Sequence, residues 1–171
     1  MTQPPLVDFL TLDTNTPGRW VLTFPAPDKI LSINTAKHWR VTAPNKKTWR
    51  EAMYAYAQHA HLPQGLTRAR IDVVLQFPTA GRRDTPNYQP YSVKALVDAL
   101  GPGRQYRSRS AAGGIVTELG YGLIPDDDPD HLDGPHLTFG PPIGRKKGYG
   151  RVTVTITDVS DNASSRVDTH L

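Results

Sequence analysis

Residues 151–157 read RVTVTIT, and this strict alternation constrains the fold more than any other part of the chain. Val152, Val154 and Ile156 face one way and Thr153 and Thr155 the other, the pattern of a strand buried on one side only. Residues 70–77 (RIDVVLQF) alternate likewise through Ile71, Val73, Leu75 and Phe77, and Pro78 stops them. Residues 20–24 (WVLTF), closed by Pro25 and Pro27, make a third, shorter β-like run. A sheet with one apolar face needs a layer to cover it, and the sequence offers two helices. Trp49, Met53, Tyr56 and Ala60 recur at helical spacing, with Asn45 as the expected N-cap and Pro63 ending the run. The opposite face of this helix carries Lys47, Arg50 and Glu51. Val93, Leu96, Val97 and Leu100 repeat in the same way, and Gly101-Pro102 terminates them. The order β-α-β-α-β predicts an α+β (or α/β) fold, a small mixed sheet packed with two main helices.

At 171 residues the chain reads as one domain. A hydrophobic fraction of 37%, with 16 Pro and 14 Gly, implies a modest core and long loops. Residues 1–18 read as a loose leader, 19–158 as the domain and 159–171 as a disordered polar tail. Residues 103–120, rich in Gly, Ser and Arg, read as a flexible insertion with a brief β element at Ile115-Val116.

The absence of cysteine excludes a disulfide framework, a thiolate zinc site and a Cys nucleophile. Any metal must then be held by carboxylate, imidazole or backbone oxygen, which favours Mg²⁺ or Mn²⁺. No apolar run reaches the length of a membrane span, and the first residues lack a signal-peptide pattern, so a cytoplasmic protein is expected. A pI near 9.4 points to a polyanionic partner. The positive charge is clustered: Lys37, His38, Arg40, Lys46, Lys47 and Arg50; Arg82 and Arg83; Arg104, Arg107 and Arg109; Arg145, Lys146 and Lys147.

Against this basic background, residues 124–134 (IPDDDPDHLDG) gather Asp126, Asp127, Asp128, Asp130 and Asp133. A calcium loop starting at Asp126 fails at its sixth position, His131, and its twelfth, Leu137. Adjacent aspartates cannot flank a sugar as a glycosidase pair must. Two readings remain: a solvated acidic turn bounded by Pro125 and Pro129, and a metal-dependent nuclease site. Phosphodiester hydrolysis needs a cation to stabilise the transition state and to activate water. Carboxylates on a basic surface suit it, since the basic residues hold DNA and the acids hold the metal. Further candidates lie in RRDTPNYQPYSVKALVDALGP: Asp84 behind Arg82-Arg83, Asn87, and Lys94 with Asp98 at i, i+4. Taken singly, Asp84 reads as a turn residue and Lys94–Asp98 as an ordinary helical ion pair.

Together these segments resemble the RusA-type Holliday junction resolvases, small dimeric Mg²⁺-dependent endonucleases common in phages and prophages. LSIN and HWRVTAPNKKTWREA resemble the family's N-terminal Asn motif and basic helix. RRD-x-x-N followed by K-x-x-x-DAL resembles its central signature, GLIPDDD its second acidic motif, and GRVTVTITD its closing strand. The resemblance implies a homodimer that hydrolyses phosphodiesters at four-way DNA junctions. It matches Asp84 to the first carboxylate, Asp126 and Asp127 to the second acidic pair, and Lys94 to the family lysine. Asn87 matches its asparagine, and Asp98 the recurring helix Asp in a supporting role. The basic helix and the Arg145–Lys147 loop would track phosphates. Two departures stand out. Pro86 occupies the position of a usual second Asp, which leaves open a weakened site, a substitute such as Asp128, or a binder without cleavage. Four residues are inserted between Asn87 and Lys94.

Overall fold

The computed structural model describes residues 10–36, 38–110, 112–144 and 148–160. The expected positions Lys37, Arg145, Lys146 and Lys147, and residues 161–171 of the expected tail, lie outside them. A five-stranded mixed sheet, two helical segments packed on it and a separate hairpin make an α+β fold.

The sheet comprises β1 (Thr11–Asp13), β2 (Arg19–Pro25), β3 (Ala69–Gln76), β6 (Leu132–Phe139) and β7 (Arg151–Asp158), in the order β1-β2-β7-β3-β6. The segment RVTVTIT is thus the middle strand, antiparallel to β2 on one side and to β3 on the other. Its alternation is realised: Val152, Val154 and Ile156 are wholly buried, while Thr153, Thr155 and Thr157 are half-buried on the far face. Ile71, Val73 and Leu75 of β3 and Leu22 and Phe24 of β2 join the same apolar layer. Each such side chain removed from water contributes about 1.5–3 kcal/mol.

Two strands of this sheet escape the sequence reading. β1 lies within the expected leader and pairs with β2 through Leu12 and Leu22. β6 follows the acidic stretch and runs parallel to β3. It breaks the alternation that would mark it, because Gly134 and Pro135 sit in its middle.

α1 spans Trp39–His59, capped by the His38 ring, which accepts the Arg40 N–H at 3.2 Å. The expected cap, Asn45, instead lies inside the helix and is almost wholly buried. Its Nδ2 donates to the Lys29 carbonyl at 2.8 Å and to Asp28 Oδ2 at 3.1 Å, and its Oδ1 accepts from Ser92 Oγ at 2.9 Å. Ser92 Oγ in turn accepts the Leu31 N–H at 3.0 Å. Pro44, a residue poorly suited to a helix interior, hides this extension from sequence reading.

The second helix begins with a wide π turn, Gln89–Val93, and continues as α2, Lys94–Asp98. Pro90 supplies no N–H, in keeping with the wider turn. Val93, Leu96, Val97 and Leu100 are buried as their spacing predicts. The expected flexible insertion is a hairpin, β4 (Pro102–Arg107) with β5 (Ile115–Tyr121). Gly120 sits directly against the Gly103 and Pro102 backbone, where a Cβ has no room. The glycines that suggested flexibility include one required for close packing.

One buried polar atom has no partner among the described residues: the hydroxyl of Tyr56, whose pKa burial pushes up to about 12. Tyr56→Phe is therefore expected to leave stability unchanged or raise it by about 1 kcal/mol. Ser92→Ala, which strands Asn45 Oδ1 and the Leu31 N–H, should lower it by about 1–3 kcal/mol. Urea unfolding of the two variants beside the parent checks both signs.

Candidate functional site

The acidic stretch turns between Ile124, which is buried, and Leu132 at the start of β6, and Asp127 borders a groove with Lys94 and Asp98 of α2. Lys94 and Asp98 lie one helical turn apart and pair at 3.0 Å. The same ammonium lies 3.6 Å from Asp127 Oδ2. One cation therefore ties the helix to the acidic loop. Burial alone lowers the Lys94 pKa, but the hydrogen bond and charge of Asp98, followed by Asp127, outweigh it and raise it above its ordinary value. Lys94 is thus a fixed positive charge at neutral pH and not a proton acceptor.

The remaining oxygen of Asp98 accepts from Arg50 Nη2 at 3.3 Å. Arg50, on α1, also reaches Glu118 on β5 at 3.4 Å, and Glu118 accepts from Arg104 on β4. Burial would raise the Glu118 pKa, yet Arg104 and then Arg50 overcome it and hold the carboxyl below the ordinary glutamate range. Charges of alternating sign so run from Arg104 through Glu118, Arg50, Asp98 and Lys94 to Asp127. Glu118 and Arg104 were not among the expected site residues, and the only sequence signal for Glu118 is a lone acid in a basic segment.

The other expected residues divide. Asp126, Asp127 and Asp98 border one groove of about 240 Å³ with Arg50 and Arg104. Asp126 Oδ1 accepts the Asp127 N–H at 2.8 Å and so shapes the turn. Asp128 is turned back on its own loop: His131 Nδ1 lies 2.9 Å from both its oxygens, and the Asp130 and His131 N–H groups donate to Oδ1. These contacts, His131 first, hold its carboxyl below the usual aspartate range. It is poorly placed to replace the carboxylate missing at Pro86. Asp133 pairs with His136 at 2.7 Å on the edge strand.

Asp84 is exposed, ahead of the short 3₁₀ turn Thr85–Asn87, and makes no side-chain hydrogen bond or ion pair among the described residues. Asn87 accepts the Ile33 N–H through its carbonyl at 2.9 Å, anchoring the LSIN segment. Pro86 lines a second groove, of about 340 Å³, with Lys94, Asp98 and Asp127. Lys46 and Lys47 are exposed on α1, Arg40 is exposed at its start, and the Arg83 guanidinium stacks on Phe77 at 3.9 Å. Arg82 is exposed.

No three Asp, Glu or His side chains among the described residues converge closely enough to enclose a cation. Asp84, Asp126 and Asp127 therefore do not meet at one point. Two carboxylates, Asp98 and Asp127, do share one positive charge, that of Lys94. Both oxygens of Asp98 are engaged, by Lys94 and Arg50, whereas Asp126 and Asp127 present hard oxygens that suit Mg²⁺ or Mn²⁺. Mg²⁺ commonly takes only one or two carboxylates, completing its shell with water and phosphate. On that count the residues fit a cation shared with substrate. The chain matches no protein-family model and no curated protein.

Arg50 and Asp98 are mostly buried, whereas Lys47 and its partner Glu51 are exposed, so their pairs should differ in worth. Arg50→Met is expected to lower stability by about 2 kcal/mol, and Lys47→Met to change it by less than about 0.5 kcal/mol. Because the Glu118 pKa is depressed, its contribution is complete above the ordinary glutamate range and is lost as pH falls through the folded value. Denaturant titrations at neutral and acidic pH should show the Arg50→Met deficit shrinking on acidification.

Proposed function

We propose that the chain is a divalent-metal-dependent, structure-selective endonuclease that cuts four-way DNA junctions as a homodimer. The observation that carries this reading is the meeting of Lys94 with both Asp98 and Asp127, residues from the two separate motifs that resemble the RusA-type signature. Asp127 and Asp126, which border one groove, would hold Mg²⁺ or Mn²⁺, with Asp98, held by Lys94 and Arg50, supporting them and the exposed Asp84 a further candidate. A bound cation supplies positive charge at the phosphate and a nucleophile at neutral pH.

The chain's own residues do the rest. Lys94, kept cationic by its two carboxylates, offsets charge building on the phosphate oxygens. Arg50 fixes the Asp98 carboxylate by holding its second oxygen, a positioning role. Lys46, Lys47, Arg40 and Arg82 are exposed and would contact phosphates, which orient the DNA without reading its sequence. Two-fold pairing of identical subunits would set one site against each of two opposed strands. A second reading, a junction-binding protein that does not cleave, is favoured by Pro86 and by the lack of three converging carboxylates among the described residues.

Cleavage of a labelled four-way junction and of a matched linear duplex, in Mg²⁺, Mn²⁺ and EDTA, separates the two. Paired nicks in the junction alone are expected, dependent on metal. Asp127→Asn should slow them by about a hundredfold or more. Tight junction binding with no cutting in either metal would favour the second reading.

A further inference from the structure

Beside the carboxylates, α1 and the β4–β5 hairpin enclose a larger groove of about 700 Å³. One wall is the basic face of α1, with Lys46 and Lys47; the other is the hairpin, with Tyr106, Val116 and Leu119. Its floor is Lys94 and Asp98, so it opens directly onto the site above. Positive charge and apolar surface thus face each other across one cleft.

The cations of this groove are of two kinds. Arg50, Lys94 and Arg104 are neutralised by Asp98, Asp127 and Glu118. Lys46 lies over the Tyr91 ring at 5.4 Å and pairs with no carboxylate among the described residues, and Lys47 has only a loose, exposed contact with Glu51 at 3.8 Å. The α1 wall is therefore available to an anion. The hairpin wall, by contrast, exposes Tyr106 and Leu119 to nearly half of their surface, and Ile115 on the same arm is more exposed still.

We infer that this groove binds an unpaired DNA strand, its phosphates along Lys46 and Lys47 and its bases stacked on Tyr106. The inference rests on the nuclease reading and refines its substrate to junctions with unpaired nucleotides near the branch. A paired duplex buries its base faces and offers a protein phosphates and groove edges, which leave the Tyr106–Val116–Leu119 wall without a partner. A single strand offers both phosphate and aromatic faces, the combination that basic grooves with stacking platforms accept. Entry through this cleft delivers the strand to Lys94 and Asp98.

The test is fluorescence anisotropy in EDTA, so that binding is read without cleavage. Its probes are labelled oligothymidine, a blunt duplex of equal length and a fully paired four-way junction. Oligothymidine binding should weaken about tenfold in Tyr106→Ala. Tyr106→Phe, which keeps the ring but removes the hydroxyl near Glu118, should bind as the parent does. Duplex binding should change in neither variant. The inference is overturned if Tyr106→Ala affects single strand and duplex alike, or neither. A change of oligomeric state in Tyr106→Ala on size exclusion also overturns it, since the hairpin wall then meets a second copy of the chain. If the junction is bound here, and cut when metal is supplied in the cleavage assay, but oligothymidine is not bound, this inference alone fails. If no DNA form is bound, the nuclease reading fails with it.

Discussion

The hydrogen bond between Asn45 and Ser92 is the contact on which the remaining geometry depends. Both side chains are buried, and neither could be so without a partner. Together with the Lys29 carbonyl, which also accepts from Trp49 Nε1 at 3.2 Å, they fix α1, the π turn and the intervening loop in one arrangement. An apolar contact tolerates sliding; a saturated polar node does not. The node sets the lateral position of α1 relative to α2, and one turn further along α1 this brings Arg50 to Asp98.

From Arg50 the charges alternate outward in both directions. Towards the hairpin they pass to Glu118 and Arg104; towards the acidic loop they pass through Asp98 and Lys94 to Asp127. The aspartates of the acidic stretch are not all alike in this scheme. Asp128 and Asp133 are occupied by histidines three residues ahead, and they shape the loop and its exit into β6. Asp127 points to Lys94. Gathering many carboxylates in one basic chain therefore has two physical causes: some build the turn, and one is presented by it.

Much of the fold was legible because one face of the sheet is open. RVTVTIT and RIDVVLQF alternate only because the face away from the helices stays partly solvated, and that alternation locates β7 and β3. Lys94 and Asp98 were legible through helical spacing. Of the hairpin only the β element at Ile115-Val116 was legible, because β4 is exposed on both faces and carries no apolar period. The start of α1 was obscured by Pro44, and Asn45, a favoured cap residue, drew the boundary to itself although its side chain is needed in the core. Glu118 and Arg104 depend on strand pairing across the hairpin, a long-range fact no local pattern encodes. The convergence expected of Asp84, Asp126 and Asp127 came from motif order alone, and motif order does not carry distance.

The proposed chemistry turns on where a divalent cation sits. Titration of ¹⁵N-labelled protein with Mn²⁺, followed by paramagnetic broadening of backbone amides, locates it without any catalytic readout. Broadening centred on the amides of Asp98, Asp126 and Asp127, and abolished by Asp127→Asn, is the predicted result. Broadening centred instead on Asp128, Asp130 and Asp133, or none at all, would contradict it.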